Sequence, residues 1–584
     1  MDKNRLSIYN LDMVTKINVI KDSKLISNLE RRKISMKKKV IALFLVLAMI
    51  VASFAACGKS ENGGKANEGG KTDSAQGGDT SEEEFSWPVK DGKLSMWLWW
   101  SNNYIENPNE LVAMQEYEKQ TGVHVDYVVV PQAEAQEKFN LMIASGDYPD
   151  IIRSAESYYT GGIVQACTDG VTIDLTDLIP KYMPNYMKIR NDYPAFAKDT
   201  TTDDKRLVGI YTVASDFGEV KGESVWAGLN LRKDWLDELG LETPETIDEW
   251  HTVLKAFKDN YNCEAPLLIG AQNGYDVMGD FISAYGVLGE FYKDGDTVKY
   301  GPCEDGYKQW VQLFRDWYAE GLIDPNFISN DASMLNAAGD YIGTGRAGAS
   351  CNIWGLTADV YKLQGIATDE NFFLQGATAP VLNKGDVPQI GFATSEITKE
   401  TLVVTSNCKD VPLALRWLDN TYDQKNVLLK SLGIEGESVV KDDQGVYHAS
   451  ESLQGMVSSG ERTSLSDALF SKYTLGTSDF GLYNWGNFSV LYEGNRAMEA
   501  YDYWDKGHFD LMLPACRTLT EDEQNAFNSI YTSIRTLVQE NTIKFITGQK
   551  PMEEYDSFVA DLHTYGIDDC IKYQQAAVDR YNAR

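Results

Sequence analysis

The sequence predicts an α/β body with a largely parallel sheet, and three features carry that reading. Between Lys93 and Ile152, β-rich apolar runs alternate with amphipathic helical ones. Farther along, two segments keep a clean helical apolar period, and a hairpin separates them. The chain after the N-terminal region contains no internal repeat and no low-complexity stretch.

The elements follow in order. KLSMWLWW (Lys93–Trp100) is rich in β-formers and leads into the polar SNNYIENPNE. LVAMQEYEKQTG reads as a helix stopped by Gly122, and VHVDYVVV returns as a strand. In AEAQEKFNLMIASGDYPDII, Ala135, Phe139, Met142 and Ile143 share one helical face, Gly146 caps it, and Ile151–Ile152 enter a third strand. Strand–helix–strand–helix–strand at this spacing is the signature of parallel α/β units. TPETIDEWHTVLKAFKD holds a helix start, with Pro244 suited to a first turn and Thr246 with Glu249 as a capping box. Ile247, Trp250, Val253, Leu254 and Phe257 then recur at helical spacing. YKQWVQLFRDWYAEGLIDPNF repeats the pattern through Tyr307, Trp310, Val311, Phe314, Trp317 and Tyr318, ending at Gly321. Regular spacing assigns those aromatics to core packing. EFYKDGDTVKYGP between the two helices is a hairpin with Asp294-Gly295 as its turn.

The N-terminal region is organised differently. Met36 precedes Lys37, Lys38 and Lys39, an apolar run from Val40 to Phe54, and then Ala55 and Ala56, the layout of a secretory signal over 36–56. The run is short of the roughly 20 apolar residues that a spanning helix needs. Residues 1–35 are charged and without clear period, as expected of an upstream extension before a true start at Met36. After Cys57 come 27 residues drawn almost wholly from Gly, Ser, Thr, Asn, Gln, Lys, Asp and Glu. Such chain is a flexible coil reaching roughly 30 Å. The small-small-Cys exit resembles the lipobox of bacterial lipoproteins, with Phe54 standing where that motif carries Leu. The resemblance implies a lipid on Cys57 and a tether over 57–86, leaving 87–584 as the folded body.

Charge bounds the partners. The chain carries a net −32, and removing the eleven basic and four acidic residues of 1–56 takes it to −39. Such a surface repels nucleic acid and anionic lipid. The seven cysteines beyond Cys57 are scattered, form no CxxC and cannot all pair, so they are expected to be mostly buried thiols. Five histidines without HxxxH or HExxH spacing make a metal site unexpected, and no cofactor motif occurs. There is no phosphate-binding glycine loop. Gly476–Gly481 misses the nucleophile-elbow spacing by one residue. The two DFG triplets, Asp216–Gly218 and Asp479–Gly481, lack every other kinase motif.

Several segments together resemble the family 1 extracellular solute-binding proteins that deliver carbohydrates to ABC importers. They are MIASGDYPDII (142–152), LNLRKDWLDELGLETPETIDEW (229–250), WYAEGLIDPNF (317–327), GRAGAS (345–350), LRWLDNTYDQKN (415–426) with LGIEGE (432–437), and FITGQKPMEEYDSFVADLHTYGIDDCIKYQQAAVDRY (545–581). The resemblance implies a two-lobed periplasmic-binding-protein-like fold with crossover strands, the first near 212–228, and helices from about Glu521 packing back across the lobes. It also implies a non-catalytic, monomeric lipoprotein on the outer face of a Gram-positive-type membrane, handing sugar to the permease subunits.

A sugar presents hydroxyls at its edge and C–H groups on its faces, so its site needs aromatic plates beside polar side chains. Where strands end, the sequence offers Trp100 with Asn102 and Asn103; Glu156, Tyr158 and Tyr159; Tyr211; Trp226; Asn352 and Trp354; and Asn484 and Trp485. An oligopeptide or other small-solute binder of the same architecture is one alternative. An exported glycoside hydrolase is another, because with 86 Asp and Glu some carboxylate pair can reach glycosidase spacing.

Overall fold

The structure is a computed structural model that describes residues 85–584, apart from 101, 217–218, 221–224, 226, 271–276, 331–340, 354–361, 363–364, 392–396, 398–400, 477–478, 485–489 and 492–498. The expected signal, Cys57 and most of the tether therefore lie outside the described residues. The body is engaged from Phe85 onward, whose ring meets Trp87 edge-on at 4.8 Å and lies 4.3 Å from the Arg416 guanidinium.

The chain opens with β1 (Gly92–Trp99), α1 (Val112–Thr121), β2 (Val123–Val130), α2 (Ala135–Ser145), β3 (Ile151–Arg153) and the single-turn α3 (Ala155–Tyr158). It continues through β4 (Val213–Asp216), β5 (Ala227–Arg232), α4 (Ile247–Tyr261), β6 (Ala265–Leu268), the hairpin β7 (Phe291–Asp294) and β8 (Thr297–Tyr300), and α5 (Asp305–Ala319). Then come β9 (Ala347–Ile353), β10 (Leu374–Gly376), β11 (Leu402–Val404), α6 (Val411–Asp419), α7 (Gln424–Leu432) and β12 (Leu482–Asn484). The chain closes with α8 (Tyr501–Trp504), α9 (Glu521–Ile546), α10 (Tyr555–Thr564) and α11 (Ile567–Asn582).

Two four-stranded sheets organise these elements into two lobes. The first has the order β11-β3-β1-β2, with β1 parallel to both β2 and β3 and only β11 antiparallel. Alternation along β1 fills both of its faces. Leu94, Met96 and Leu98 join Val123, Val125, Ile151, Leu402 and Val404 on one side. Trp97 joins Val130, Ile152, Val403 and the α2 residues Ala135 and Phe139 on the other. Gly122 ends α1 at φ +68, and a Cβ there would meet the Val89 carbonyl oxygen at 2.0 Å, so only glycine fits this corner.

The second sheet, ordered β10-β5-β9-β6, corrects the expectation of parallel pairing. Its strand β5 is antiparallel to both neighbours, and only β9 and β6 run parallel. The cause is connectivity. β5 follows directly on a crossing from the other lobe, whereas β6 is reached through helix α4 within its own lobe. The helical stripes fall as the spacing predicts. Ile247, Trp250, Val253, Leu254 and Phe257 of α4, and Tyr307, Trp310, Val311, Phe314 and Trp317 of α5, are all buried in one core. The Thr246–Glu249 capping box is formed. Pro244, however, lies ahead of the first turn, since the helix begins at Ile247. The hairpin turn is also shifted by one residue. Asp294 pairs with Thr297, which leaves Gly295-Asp296 as the loop, with Gly295 supplying the positive φ of +60.

The chain passes between lobes three times. Residues 211–226 lead from the first sheet to β5, residues 377–401 lead back to β11, and residues 485–500 lead out again to α8. Strand β4 of the first passage pairs in parallel with β12, which runs into the third, with Leu482 opposite Val213 and Asn484 opposite Ser215. Val213 also bridges Ile397 of the remaining passage. At the far end of the third, Trp504 lies on Gly228, where a Cβ would sit 2.5 Å from the indole, and its Nε1 donates to the Leu229 carbonyl at 2.9 Å. The apolar faces of α9, α10 and α11 all join the second core, through residues such as Ile534, Phe545, Phe558 and Ile567.

Candidate functional site at the end of the first sheet

In a sheet ordered 2-1-3, the chain leaves β1 for β2 on one side and then returns past it to β3 on the other. The crevice beyond the carboxyl ends of β1 and β3 is then a topological switch point, where open α/β sheets bind ligands. Trp99, Trp100, Arg153 and Ser154 stand there. Arg153 is fully buried, with its guanidinium 5.4 Å from the centroid of the half-buried Trp99 ring. Its charge is felt by Asp479, whose carboxyl burial pushes up while Lys430 and Arg153 pull it down. Lys430 Nζ lies 3.2 Å from Asp479 Oδ1 inside the lobe, with both side chains 1% exposed.

Ser154 has φ +63 and ψ +30, a left-handed conformation that costs a residue with a Cβ about 1–3 kcal/mol and is characteristic of functional sites. Its N–H donates to the Thr401 carbonyl at 2.7 Å, while its buried Oγ has no partner among the described residues. An orphaned buried hydroxyl on a strained residue at a switch point makes Ser154 a candidate for contact with a ligand group. Glu156 is fixed from the same side. Its Oε1 accepts the Thr401 N–H at 3.3 Å, and its Oε2 accepts the Thr401 hydroxyl.

The other sequence candidates divide. Trp100 is 5% exposed and its ring belongs to the first core. Asn102 is engaged with protein: Nδ2 donates to the Phe470 carbonyl at 2.9 Å, and Oδ1 accepts from the N–H groups of Tyr104 and Ile105. Tyr158 is half-buried against Trp97 and Phe139, each 5.7 Å away. Tyr159 donates its hydroxyl to Asp169 at 2.7 Å. Tyr211 lies on the approach to β4, where its carbonyl accepts from Tyr422 Oη, and burial raises its own phenol. Asn484 is wholly buried on β12 opposite Ser215. Asn352 stands on β9 opposite Gly228, with its side chain outside the described residues. Trp226, Trp354 and Trp485 also lie outside them, directly adjoining β5, β9 and β12 in sequence.

Trp99, Arg153, Ser154 and Thr401 were not singled out by the sequence. The alternation of β1 places Trp99 on the Trp97 face, which is a usable signal. Nothing in the sequence marks the backbone of Ser154. The chemistry assembled here by the described residues is hydroxyl, carboxylate, guanidinium and aromatic face. All five histidines face carboxylates, as in His124–Glu118 and His251–Glu320. Among the described residues, no cluster of three or more His, Cys, Asp or Glu could hold a metal, and no helix is long and apolar enough to cross a membrane. The seven described cysteines are thiols outside any disulfide, three of them buried and four half-buried.

A profile described as bacterial extracellular solute-binding protein matches residues 108–426, more than half of the chain. The fructooligosaccharide ABC transporter substrate-binding protein FusA of Streptococcus pneumoniae is 26% identical over 549 residues, spanning 88% of this chain and 95% of FusA. Lipoprotein LipO of Bacillus subtilis is 25% identical over 358 residues, 58% of this chain and 66% of LipO. Among solved structures, an HMO-binding solute-binding protein from Bifidobacterium longum infantis aligns with a TM-score of 0.66 at 19% identity, over 84% of this chain and 99% of that one. That likeness establishes the two-lobed fold.

Proposed function

The chain belongs to the bacterial extracellular solute-binding protein family, and on that premise we propose that it is the membrane-tethered receptor of an ABC importer for a neutral oligosaccharide. The observation that carries this reading is the switch-point cluster. Ser154 offers an unpaired buried hydroxyl, Glu156 a fixed carboxylate and Trp99 an aromatic face, the groups that a polyhydroxylated ligand needs. The near full-length likeness to a fructooligosaccharide receptor supports the ligand class. Trp226, Trp354 and Trp485, which adjoin β5, β9 and β12 in sequence, are the further aromatic candidates for plates. The charge balance favours a neutral sugar. The strongly acidic chain repels a uronate at long range, although Arg153 places one guanidinium, the group that best holds a carboxylate, at the site itself.

Cys57, acylated at the end of the export signal, holds the protein at the outer face, because a diacyl anchor is stable where one chain is marginal. The tether lets the body meet the permease. Replacing Cys57 by Ala removes fatty-acid labelling in a native-type host; equal labelling of both forms contradicts the anchor.

A thermal-shift screen tests the ligand class, since a compound that binds only the folded state raises the melting temperature. Neutral oligosaccharides such as kestose, oligogalacturonides of the same length, and oligopeptides form the panel. A shift with a neutral sugar supports the proposal. A shift confined to oligopeptides or to oligogalacturonides overturns it.

A further inference from the structure

Beyond the three covalent passages, the lobes meet through a polar cluster at the end of α11. Asp203 belongs to the first lobe, in the loop after the short helix Pro194–Asp199, whose Phe196 is in the first core. Its Oδ1 accepts from Arg584 Nε at 2.8 Å. Its Oδ2 accepts from Thr518 Oγ1 at 2.8 Å and from Arg580 Nε at 3.3 Å. All three donors come from the chain around α9 and α11, which pack in the second lobe. Arg580 also holds that side together, with Nη1 donating to Glu523 Oε1 at 3.0 Å and Nη2 to the Thr518 carbonyl at 2.9 Å.

Neighbouring first-lobe residues grip the same end of the helix. Lys205 Nζ donates to the Ala583 carbonyl at 2.7 Å, Tyr581 Oη donates to Asp199, and the Lys198 ammonium sits 4.5 Å from the Tyr581 ring. The Arg584 side chain is only 2% exposed and that of Asp203 27%, so this pair is partly shielded from the solvent screening that makes most surface pairs negligible. The cluster also stands beside the first passage, since the Arg584 charge acts on the Tyr211 hydroxyl.

We propose that Asp203, Arg580 and Arg584 form a clasp that narrows the range of lobe orientations, which makes them positioning residues for ligand capture. The inference rests on the two-lobed receptor reading above. A receptor whose binding-competent orientation has fractional population f shows an apparent Kd raised by 1/f. A tie between lobes raises f without touching the ligand, and cutting it lowers f.

The test uses the whole chain and the variants Asp203→Ala and Arg584→Ala, their double variant, and the conservative Asp203→Glu and Arg584→Lys. The readouts are solution scattering of the unliganded protein, calorimetric affinity for kestose, and melting temperature. The clasp predicts a larger radius of gyration for each alanine variant and an affinity about three- to tenfold weaker. The double variant is no worse than either single one, and the conservative variants recover part of the loss. Alanine variants that lower the melting temperature with an unchanged radius of gyration, or that bind kestose more tightly, overturn it. If the parent chain does not bind kestose, the ligand reading fails there, and the scattering of the unliganded variants still decides the clasp.

Discussion

The aromatics of α5 and those at the end of β1 are equally dense in sequence but behave differently. Along α5, Tyr307, Trp310, Phe314 and Trp317 all turn into one core, because the 3.6-residue period repeats the same orientation at every turn. At the end of β1 the tryptophans part. Trp97 and Trp99 point to one face of the sheet, and Trp100 turns into the core of the other. A regular period fixes burial from local chain geometry, whereas past a strand end the backbone turn decides, and that turn depends on residues far away.

The sharpest way to break this comparison is at Trp310. Replacing it by Ala empties a closed part of the second core, so stability falls by about 3–5 kcal/mol. Ligand affinity in the folded fraction stays within about twofold, as expected when the cost is packing alone. Denaturant titration gives the first number and calorimetry the second. A fully stable Trp310→Ala protein that cannot bind would show that the helical stripe reaches the ligand.

Trp354 and Trp485, which directly follow β9 and β12 in sequence, are expected to reverse the pattern. Trp354→Ala and Trp485→Ala each weaken ligand affinity by about 1–3 kcal/mol, the scale of a lost large apolar contact. Both leave the unliganded melting temperature near that of the parent. Neutral effects on affinity at both positions would remove them as plates.

How far the sequence reaches follows the same division. The βαβαβ succession, both helical stripes and the Thr246–Glu249 cap were legible because each is written within a few turns of chain. The antiparallel β5 was not, since strand direction in the second sheet is set by where the chain re-enters it. The one-residue shift of the Gly295-Asp296 turn reflects how little one hairpin register differs locally from the next. Near the switch point, Glu156 was singled out through its position after a strand. Ser154 was missed because its left-handed backbone leaves no mark in the local sequence, and the Thr401 carbonyl that its N–H meets is nearly 250 residues away.

Ser154 provides the finest test. Ser154→Ala removes a buried hydroxyl that has no partner in the unliganded protein, so stability is unchanged or rises by about 1 kcal/mol. Affinity falls by about 1 kcal/mol, the scale of one net hydrogen bond. Equal affinity for the sugar would mean that the hydroxyl does not read the ligand. Ser154→Gly keeps the loss of affinity while relieving the backbone, which separates strain from recognition.

The central claim is that two lobes close around an oligosaccharide, because only closure both sheds water from the aromatic faces and pairs the sugar hydroxyls. Solution scattering of the whole chain, without ligand and then saturated with the sugar found by the thermal-shift screen, tests it directly. The account predicts a smaller radius of gyration in the saturated protein. An unchanged or larger radius at proven saturation would contradict it.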